Sequence, residues 1–182
     1  MSSIPIEIQF DDESRQTALG FVDVGINGCV HRFLLDTACA QSKLSWCAHS
    51  QTLEKIGIRE SSGVFGRSQY DEVLIERVKF GSLDLSNVSM ARAPEGERGY
   101  SLLGMDALKH LSLRFFLSEG RLDVLNGPLE LANELEVDQG SIPYVNVELD
   151  GRNAKAVWDT GASVTLVDIG FLKRNPDLFE VV

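Results

Sequence analysis

The sequence predicts a mainly β fold in which one domain is followed by the N-terminal part of a second, homologous domain. Two observations indicate this class. Short runs of alternating apolar and polar residues recur between turn residues, which is typical of strands with one buried face. In addition, residues 21–45 and 144–168 align without a gap at an offset of 123 positions. That spacing is too long for a solenoid repeat and indicates a duplicated domain.

The first half of the chain predicts strands and one short helix. Ile4–Phe10 alternates apolar and polar residues and contains a proline, as an edge strand does. Gly20–Leu35 divides into two strands at Asn27-Gly28. This dipeptide favours a two-residue type I′ hairpin turn, because both central residues need positive φ. Trp46–Ile56 predicts a short helix that ends at Gly57.

The second half continues with short elements and a linker. Residues 126–140, with Pro128 and several acidic side chains, predict a linker that is weakly helical around 129–135. The other predicted elements are strands at 72–80 and 83–93 joined by Gly81-Ser82, a helical turn at 106–111, and a hairpin of 113–116 and 121–125 turned at Glu119-Gly120. The predicted division is an N-terminal arm at 1–19, a first domain at 20–125, the linker at 126–140, and the start of a second domain at 141–182.

Composition restricts the classes of partner. The 182 residues suffice for one domain with a sizeable core and part of another. The formal net charge is −10 and no basic run exceeds two residues, so we expect neither nucleic acid nor a membrane surface as a partner. The first residues, MSSIPIEIQFDDESRQ, lack the basic and apolar regions of a secretory signal, which predicts a cytoplasmic protein. Cys29, Cys39 and Cys47 lack metal-ligand spacing and are expected to be free thiols.

Two aspartates occupy the same position in both copies. Asp36 follows the apolar run FLL, Asp159 follows AVW, and each precedes a threonine. Two like-built domains related by a pseudo-two-fold axis would bring these carboxyl groups together. Neighbouring carboxyl groups share one proton, so one takes a proton from water while the other donates to a carbonyl oxygen. Asp36 and Asp159 are therefore the predicted catalytic pair.

The residues around this pair carry a family resemblance. Asp159-Thr160-Gly161-Ala162 resembles the active-site signature of aspartic peptidases of the retropepsin and pepsin type, and Asp36-Thr37-Ala38-Cys39 resembles a degraded copy of it. The segment 102–108, LLGMDAL, is similar to the apolar-apolar-Gly segment near the end of a retropepsin-like domain. LRFFLSEGRLDVL is similar to the hairpin that closes such a domain. The resemblance implies a retropepsin-like (acid protease) closed β-barrel over residues 20–125.

The resemblance also implies a role for each matching residue. Asp36 and Asp159 would activate the water that hydrolyses a peptide bond, as in an aspartic endopeptidase. The two threonines would hydrogen-bond each other's loops, Gly161 would let the loop backbone approach the scissile peptide, and Leu103 and Gly104 would pack beside the loops. The residues that would support the active-site loops are Thr37, Ala38, Thr160, Gly161 and Ala162.

A flap over the substrate is implied for Ser61–Tyr70, with Gly63, Val64, Phe65 and Gly66 as its candidate substrate-contacting residues. The implied substrate is an extended peptide or protein segment that is held through its main chain. The chemistry of the family needs neither a cofactor nor a metal ion.

The chain departs from the family pattern at three places. Ala38 replaces the glycine of the signature, at a cost that depends on the sign of its φ. Cys39, beside Asp36, is either an inert core residue or an oxidisable switch. The second copy is incomplete, since the counterpart of the flap would fall beyond Val182. We therefore expect a homodimer, a missing C-terminal lobe, or a fragment of a longer two-lobed enzyme.

Three functional hypotheses remain open. The first is an aspartic endopeptidase that uses Asp36 and Asp159 of one chain. The second is a catalytically inactive retropepsin-like domain for binding or oligomerisation. The third is a homodimeric peptidase that uses Asp36 from two chains, with Asp159 outside the reaction. An active form is expected to have its rate maximum on the acid side of neutrality, because the pair must share one proton.

Overall fold

The computed structural model describes residues 2–12, 17–63, 66–125 and 135–179. Its strands are β1 (Ser2–Pro5), β2 (Glu7–Phe10), β3 (Ala18–Ile26), β4 (Cys29–Leu35), β5 (Lys43–Leu44), β6 (Lys55–Gly63), β7 (Gly66–Phe80), β8 (Leu83–Arg92), β9 (Ser101–Leu103), β10 (Ser112–Phe116), β11 (Arg121–Leu125), β12 (Glu136–Val137), β13 (Pro143–Leu149) and β14 (Arg152–Val157). The helices are α1 (Ala48–Gln51), α2 (Met105–Leu108) and α3 (Ile169–Arg174), with single 3-10 turns at Leu117–Glu119 and Pro176–Leu178. The predicted mainly β class is confirmed.

Six of the described strands close into a barrel. In order they are β3, β4, β9, β5, β8 and β7, and β7 returns to β3 through the pairs Gly25–Lys79 and Ile26–Val78. Two of the neighbouring pairs, β4 with β9 and β5 with β8, are parallel. Closure leaves these strands without a free edge where they pair. The closed β-barrel that the family resemblance implies is therefore present.

Alternation along the barrel strands produces the core. In β3 the side chains of Val22, Val24 and Ile26 are buried, whereas Asp23 is exposed to solvent. The same core holds Phe33, Leu35, Leu44, Val73, Ile75 and Leu103, each of which is at most 1% exposed. Burial of one such side chain contributes about 1.5–3 kcal/mol. The core therefore fixes the C-terminal ends of β4 and β9.

Two hairpin turns share one backbone conformation. The φ angles of Asn27 and Gly28 are 47° and 85°, and those of Asp150 and Gly151 are 48° and 74°. Positive φ at both central residues is what a type I′ turn requires, as predicted for Asn27-Gly28. The β3–β4 and β13–β14 hairpins therefore start from equivalent turns.

The N-terminal segment forms two strands rather than the single strand predicted for Ile4–Phe10. β1 pairs with β11, whereas β2 pairs with β3. Ile6 separates them because its side chain is buried and its amide donates to the Gly120 carbonyl at 2.7 Å. Both strands lie at the edge of their sheets, which agrees with the prediction made from Pro5.

The helix predicted for Trp46–Ile56 is shorter than expected. α1 ends at Gln51, and β6 begins at Lys55. Pairing of β6 with β7, with a register shift between Lys55 and Gly57, overrides the helical pattern. Gly57 lies inside this strand, where a Cβ would be 3.3 Å from the carboxylate of Glu72. Gly57 is therefore a strand residue and not the end of a helix.

The strands β12, β13 and β14, in the segment that the sequence analysis aligns with residues 21–45, form a three-stranded sheet. β12 lies inside the predicted linker at 126–140, of which residues 126–134 lie outside the described residues. Leu149 and Val167 are 38% and 46% exposed, whereas their counterparts in the first copy, Ile26 and Leu44, are 0% exposed. The main core of the described residues therefore lies within residues 4–124. The boundaries of the two domains stay predictions.

The described helices are short. α3, which was not predicted, begins after Asp168, whose side chain accepts the Phe171 amide at 2.9 Å as an N-cap. Among the described residues, no helix combines the length and the apolar character that a bilayer crossing needs.

Candidate active site

Asp36 and Asp159 lie in loops at the ends of two strands. Asp36 follows β4 directly, and its amide donates to the Leu103 carbonyl of β9 at 3.1 Å. Asp159 follows β14 after one residue, Trp158, whose amide donates to the Pro143 carbonyl at 3.0 Å. Each aspartate therefore follows the end of a strand, and a main-chain hydrogen bond to a neighbouring strand fixes that end.

Thr37 and Thr160 join the two loops. The Thr37 amide donates to the Thr160 hydroxyl at 3.1 Å, and the Thr160 amide donates to the Thr37 hydroxyl at 3.0 Å. Each hydroxyl also donates to the carbonyl that precedes the other aspartate: Thr160 to Leu35 at 2.9 Å, and Thr37 to Trp158. Because these bonds are equivalent in pairs at an offset of 123 positions, the two loops meet about a local pseudo-two-fold axis.

The two carboxyl groups have different surroundings. Asp159 is exposed, and its Oδ1 accepts the amides of Gly161 at 2.9 Å and Ala162 at 3.1 Å. Asp36 is partly buried and lies against Gly161, where a Cβ would be 2.5 Å from the Asp36 Cγ. The close approach of the Asp36 carboxyl group therefore requires glycine at position 161.

The pKa of Asp36 is raised. Burial raises this pKa most, and the negative charge of Asp159 raises it further. The backbone amides of Cys39 and Ala38, which donate toward the Asp36 carboxylate, act in the opposite direction without cancelling the shift. A carboxyl group with a raised pKa beside a second carboxylate keeps its proton to a higher pH than an ordinary aspartate does. The arrangement is therefore suited to one proton shared over two carboxyl groups.

The two departures in the first loop are accommodated. Ala38 is not among the residues with positive φ, so its methyl group imposes no backbone strain. The thiol of Cys39 donates to the Gln41 carbonyl at 3.0 Å. Burial, together with the charge of Asp36, raises the pKa of Cys39 to about 11. Its thiolate is therefore scarce at neutral pH, which favours the inert residue over the oxidisable switch.

Leu103 and Gly104 lie beside the first loop. Leu103 is buried, and its carbonyl accepts the Asp36 amide. A Cβ on Gly104 would be 2.5 Å from the carbonyl oxygen of Cys39. The Met105 amide donates to the same oxygen at 2.8 Å. Only glycine fits between this helix start and the loop.

The candidate flap is the hairpin of β6 and β7. The two strands pair as far as Gly63 and Gly66. Val64 and Phe65, which the sequence also assigns to the flap, lie outside the described residues. The part of the hairpin that the structure describes is therefore a two-stranded ribbon that extends from the barrel sheet.

Two contacts at the end of the first loop are not predicted from the sequence. The ammonium group of Lys43, in β5 directly after the loop, lies 5.0 Å from the centre of the Tyr70 ring in β7, so it joins β5 to the hairpin strand. The carboxylate of Asp106 accepts hydrogen bonds from Ser42. The available signal was weak: the two aligned segments keep a hydroxyl at this position, Ser42 in one and Thr165 in the other.

A cavity of about 380 Å³ opens beside the second loop. Its lining includes Phe10, Tyr100 and Ser163, and Ser163 directly follows the Asp-Thr-Gly-Ala signature. Phe10 and Tyr100 are exposed. Gln9, Asp11, Asp12 and Thr17 also line it, so the cavity combines two aromatic rings with polar and acidic side chains.

Metal-ligating side chains do not converge in the described part of the chain. No group of three or more His, Cys, Asp or Glu side chains there is arranged to hold a metal ion. His31 and His49 instead hydrogen-bond each other, with 2.6 Å between Nε2 of His31 and Nδ1 of His49.

Comparisons relate the chain to known proteins. A protein-family model described as Aspartyl protease matches residues 22–107. The structure is similar to a retropepsin-like aspartic protease from Rickettsia conorii, with a TM-score of 0.45, 15% identity, and coverage of 67% of this chain and 86% of that chain. It is also similar to the EIAV protease complexed with the inhibitor HBY-793, with a TM-score of 0.40, 20% identity, and coverage of 56% and 92%. A search of curated proteins gives no significant match.

The matched range covers part of the site. It contains the Asp36 loop and Gly104, but it ends before Asp159. The family match therefore bears on the first aspartate, and the pairing of the two aspartates stands on the geometry of the loops.

Proposed function

We propose that this chain, which carries a retropepsin-like domain of the aspartyl protease family, is an aspartic endopeptidase that activates water between Asp36 and Asp159 of a single chain. The observation that supports this most directly is the reciprocal hydrogen bonding of Thr37 and Thr160. These bonds tie together the loops that carry the two aspartates. Each carboxyl group then has a defined position relative to the other, which a concerted proton transfer requires.

The same hydrogen bonds favour a single-chain pair over a homodimer built on Asp36. The amide and the hydroxyl of Thr37 already bond to Thr160 and Trp158 of the same chain. A second copy of the Asp36 loop would have to replace both partners. Each hydrogen bond replaced contributes about 0.5–1.5 kcal/mol, so the exchange offers no evident gain.

In the proposed resting state Asp36 carries the proton and Asp159 is ionised. Burial raises the pKa of Asp36 and so favours its neutral form. Asp159 is exposed to water and accepts two backbone amides, which stabilise a carboxylate. The two aspartates therefore have different roles, the acid and the base.

Two steps then complete the proposed reaction. First, Asp159 takes a proton from the water, the water oxygen bonds to the carbonyl carbon of the substrate, and Asp36 gives its proton to the carbonyl oxygen. Second, Asp159 gives its proton to the amide nitrogen and the C–N bond breaks. Asp36 takes a proton from one hydroxyl group as the carboxylic acid forms. The starting protonation state is restored.

The proposed substrate is an extended polypeptide. The ribbon of β6 and β7 is the candidate flap, along which the main chain of a substrate would pair. The cavity that Ser163 lines together with Phe10, Tyr100, Asp11 and Asp12 would take a side chain of the substrate.

Cleavage of a peptide library by single variants tests the proposal. We expect Asp36→Asn and Asp159→Asn each to lower kcat by at least about 10³-fold. Asp84→Asn, which removes an exposed ion pair with Arg77, should keep the wild-type rate. Loss of activity in the Asp36 variant alone would favour the homodimeric peptidase. A folded wild-type chain that cleaves nothing between about pH 3 and 8 would favour the inactive binding domain.

A further inference from the structure

Asp106, in α2, hydrogen-bonds Ser42 at the end of the Asp36 loop. The Ser42 amide donates to both carboxylate oxygens of Asp106 at 2.9 Å, and the Ser42 hydroxyl donates to Oδ1 at 2.6 Å. The same Oδ1 accepts the Ala107 amide at 3.0 Å. Ser42 is only 1% exposed, and hydrogen bonds to an ionised acceptor are stronger than neutral ones. Asp106 therefore anchors the end of the loop that begins at Asp36.

The start of α2 returns hydrogen bonds to the same loop. The Gly104 amide donates to the Ser42 hydroxyl at 3.0 Å, and the Met105 amide donates to the Cys39 carbonyl at 2.8 Å. The first amides of a helix have no acceptor inside the helix, so the loop satisfies donors that would otherwise be unpaired. The Asp36 loop and the start of α2 are therefore joined by hydrogen bonds in both directions.

The loop held in this way presents its amides to Asp36. The Cys39 amide donates to the main-chain carbonyl of Asp36 at 3.2 Å, and the amides of Ala38 and Cys39 lie near enough to the Asp36 carboxyl group to lower its pKa. On the other side, the Asp36 amide donates to the Leu103 carbonyl. Both ends of the loop are thus fixed by one short segment, residues 103–106.

We propose that Asp106 is a positioning residue for the catalytic pair: by anchoring Ser42, it holds the amides of Ala38 and Cys39 on the carboxyl group of Asp36. The inference rests on the proposed function, because positioning Asp36 matters to catalysis only if Asp36 reacts. Asp106 acts through the loop and exchanges no proton with the substrate.

Loosening the anchor would withdraw the N–H donors from the ionised form of Asp36. Hydrogen bonds to a carboxylate favour its charged form, so their loss raises the pKa of Asp36. A direct effect of removing the Asp106 charge would have the opposite sign, because a negative neighbour raises the pKa of a carboxyl group. The two explanations therefore predict shifts in opposite directions.

A ¹³C NMR titration of aspartate-labelled protein measures Asp36 without turnover, with its signal assigned from its absence in Asp36→Asn. Asp106→Asn and Ser42→Ala weaken the anchor, whereas the control Ser45→Ala removes a hydroxyl that contacts Ser101 at 3.0 Å. The titration midpoint of Asp36 is expected to rise by about 0.5–1 pH unit in Asp106→Asn and in Ser42→Ala, and to stay unchanged in Ser45→Ala. Ser42→Ala changes no charge and keeps the measurement available if Asp106→Asn destabilises the fold.

Peptide hydrolysis supplies the second readout. In both anchor variants kcat should fall about ten- to a hundredfold, with KM changed less than about threefold, because the loop positions the acid and does not bind the substrate. The alkaline limb of the pH–rate profile should move to higher pH together with the pKa of Asp36. The inference would be overturned if the folded anchor variants kept the wild-type titration midpoint of Asp36 and the wild-type alkaline limb of the pH–rate profile. A wild-type chain that cleaves no peptide, with the midpoint still shifted in the variants, would overturn the proposed function and leave the anchoring intact.

Discussion

The amides of Thr37 and Thr160 each donate to the other residue's hydroxyl, at 3.1 and 3.0 Å, within one chain. Each hydroxyl then reaches the carbonyl before the opposite aspartate, at Leu35 and Trp158. The two aspartate loops consequently share one set of hydrogen bonds. A change at either threonine should therefore alter both loops.

Thr160→Val removes the hydroxyl and keeps the shape of the side chain. The Thr37 amide then lacks an acceptor at a residue that is 2% exposed, which should lower the free energy of unfolding by about 1–3 kcal/mol. We also expect kcat to fall more than about tenfold, because both loops lose their register. Urea unfolding and peptide hydrolysis measure the two effects, and Thr165→Val, at an exposed position, should change neither. A folded Thr160→Val with wild-type kcat would contradict the role of the threonines.

Gly161→Ala should displace the first aspartate. The new Cβ would lie 2.5 Å from the Asp36 Cγ, a distance at which one of the two groups must move. We expect a loss of kcat of about 10²-fold with a smaller change in KM. Gly99→Ala is the matched control, because a Cβ there has no neighbour within 4 Å. Equal activities of the two variants would show that position 161 tolerates the methyl group.

Ala38→Gly should be tolerated by the site and cost stability. Because Ala38 does not have positive φ, glycine relieves no strain and only gives the unfolded chain more freedom. The free energy of unfolding should fall by about 0.4–1 kcal/mol, with kcat within about twofold of wild type. Denaturant unfolding and hydrolysis check both. A large gain in activity would mean that the Ala38 methyl group obstructs catalysis.

Asp36→Asn should stabilise the protein at neutral pH more than at acid pH. The pKa of Asp36 is raised by burial and by Asp159, so the fold disfavours its ionised form relative to the unfolded chain. This loss in the free energy of unfolding of the wild type is absent below the unfolded pKa of about 3.9. It grows as the pH rises through the folded pKa. The Tm difference between variant and wild type should therefore be larger at about pH 7 than at pH 4. A difference that shrinks as the pH rises would contradict the raised pKa.

Cys39 should react slowly and be dispensable. Burial raises its pKa to about 11, whereas Cys29 is exposed, so iodoacetamide should label Cys29 first, as peptide mass spectrometry would reveal. Cys39→Ala should keep the wild-type kcat before and after mild oxidation. Activity that oxidation abolishes in the wild type but not in Cys39→Ala would instead make Cys39 a redox switch.

Local patterns predicted the parts of the fold that local chemistry fixes. Asn27-Gly28 requires a tight turn whatever surrounds it, and alternation in β3 follows from one buried face. The position of Asp36 at the end of an apolar strand was also visible in the sequence. These features depend on neighbours within a few residues, so a single sequence suffices to find them.

The features that the sequence did not predict depend on contacts between residues far apart in the chain. The break at Ile6 depends on a hydrogen bond to Gly120, and the early end of α1 depends on pairing of β6 with β7. Asp106 contacts Ser42 across 64 positions, and the only sequence signal was the hydroxyl that Ser42 shares with Thr165 in the aligned segment. Tertiary packing overrides local preference at such places.

The stoichiometry of inhibitor binding tests most directly whether one chain supplies both aspartates. The inhibitor would be a peptide with a hydroxyl-bearing tetrahedral carbon in place of the scissile carbonyl, titrated by calorimetry into protein of known mass in solution. One inhibitor should bind per chain, and binding should weaken in both Asp36→Asn and Asp159→Asn. One inhibitor per two chains, with binding unchanged in Asp159→Asn, would contradict the single-chain pair.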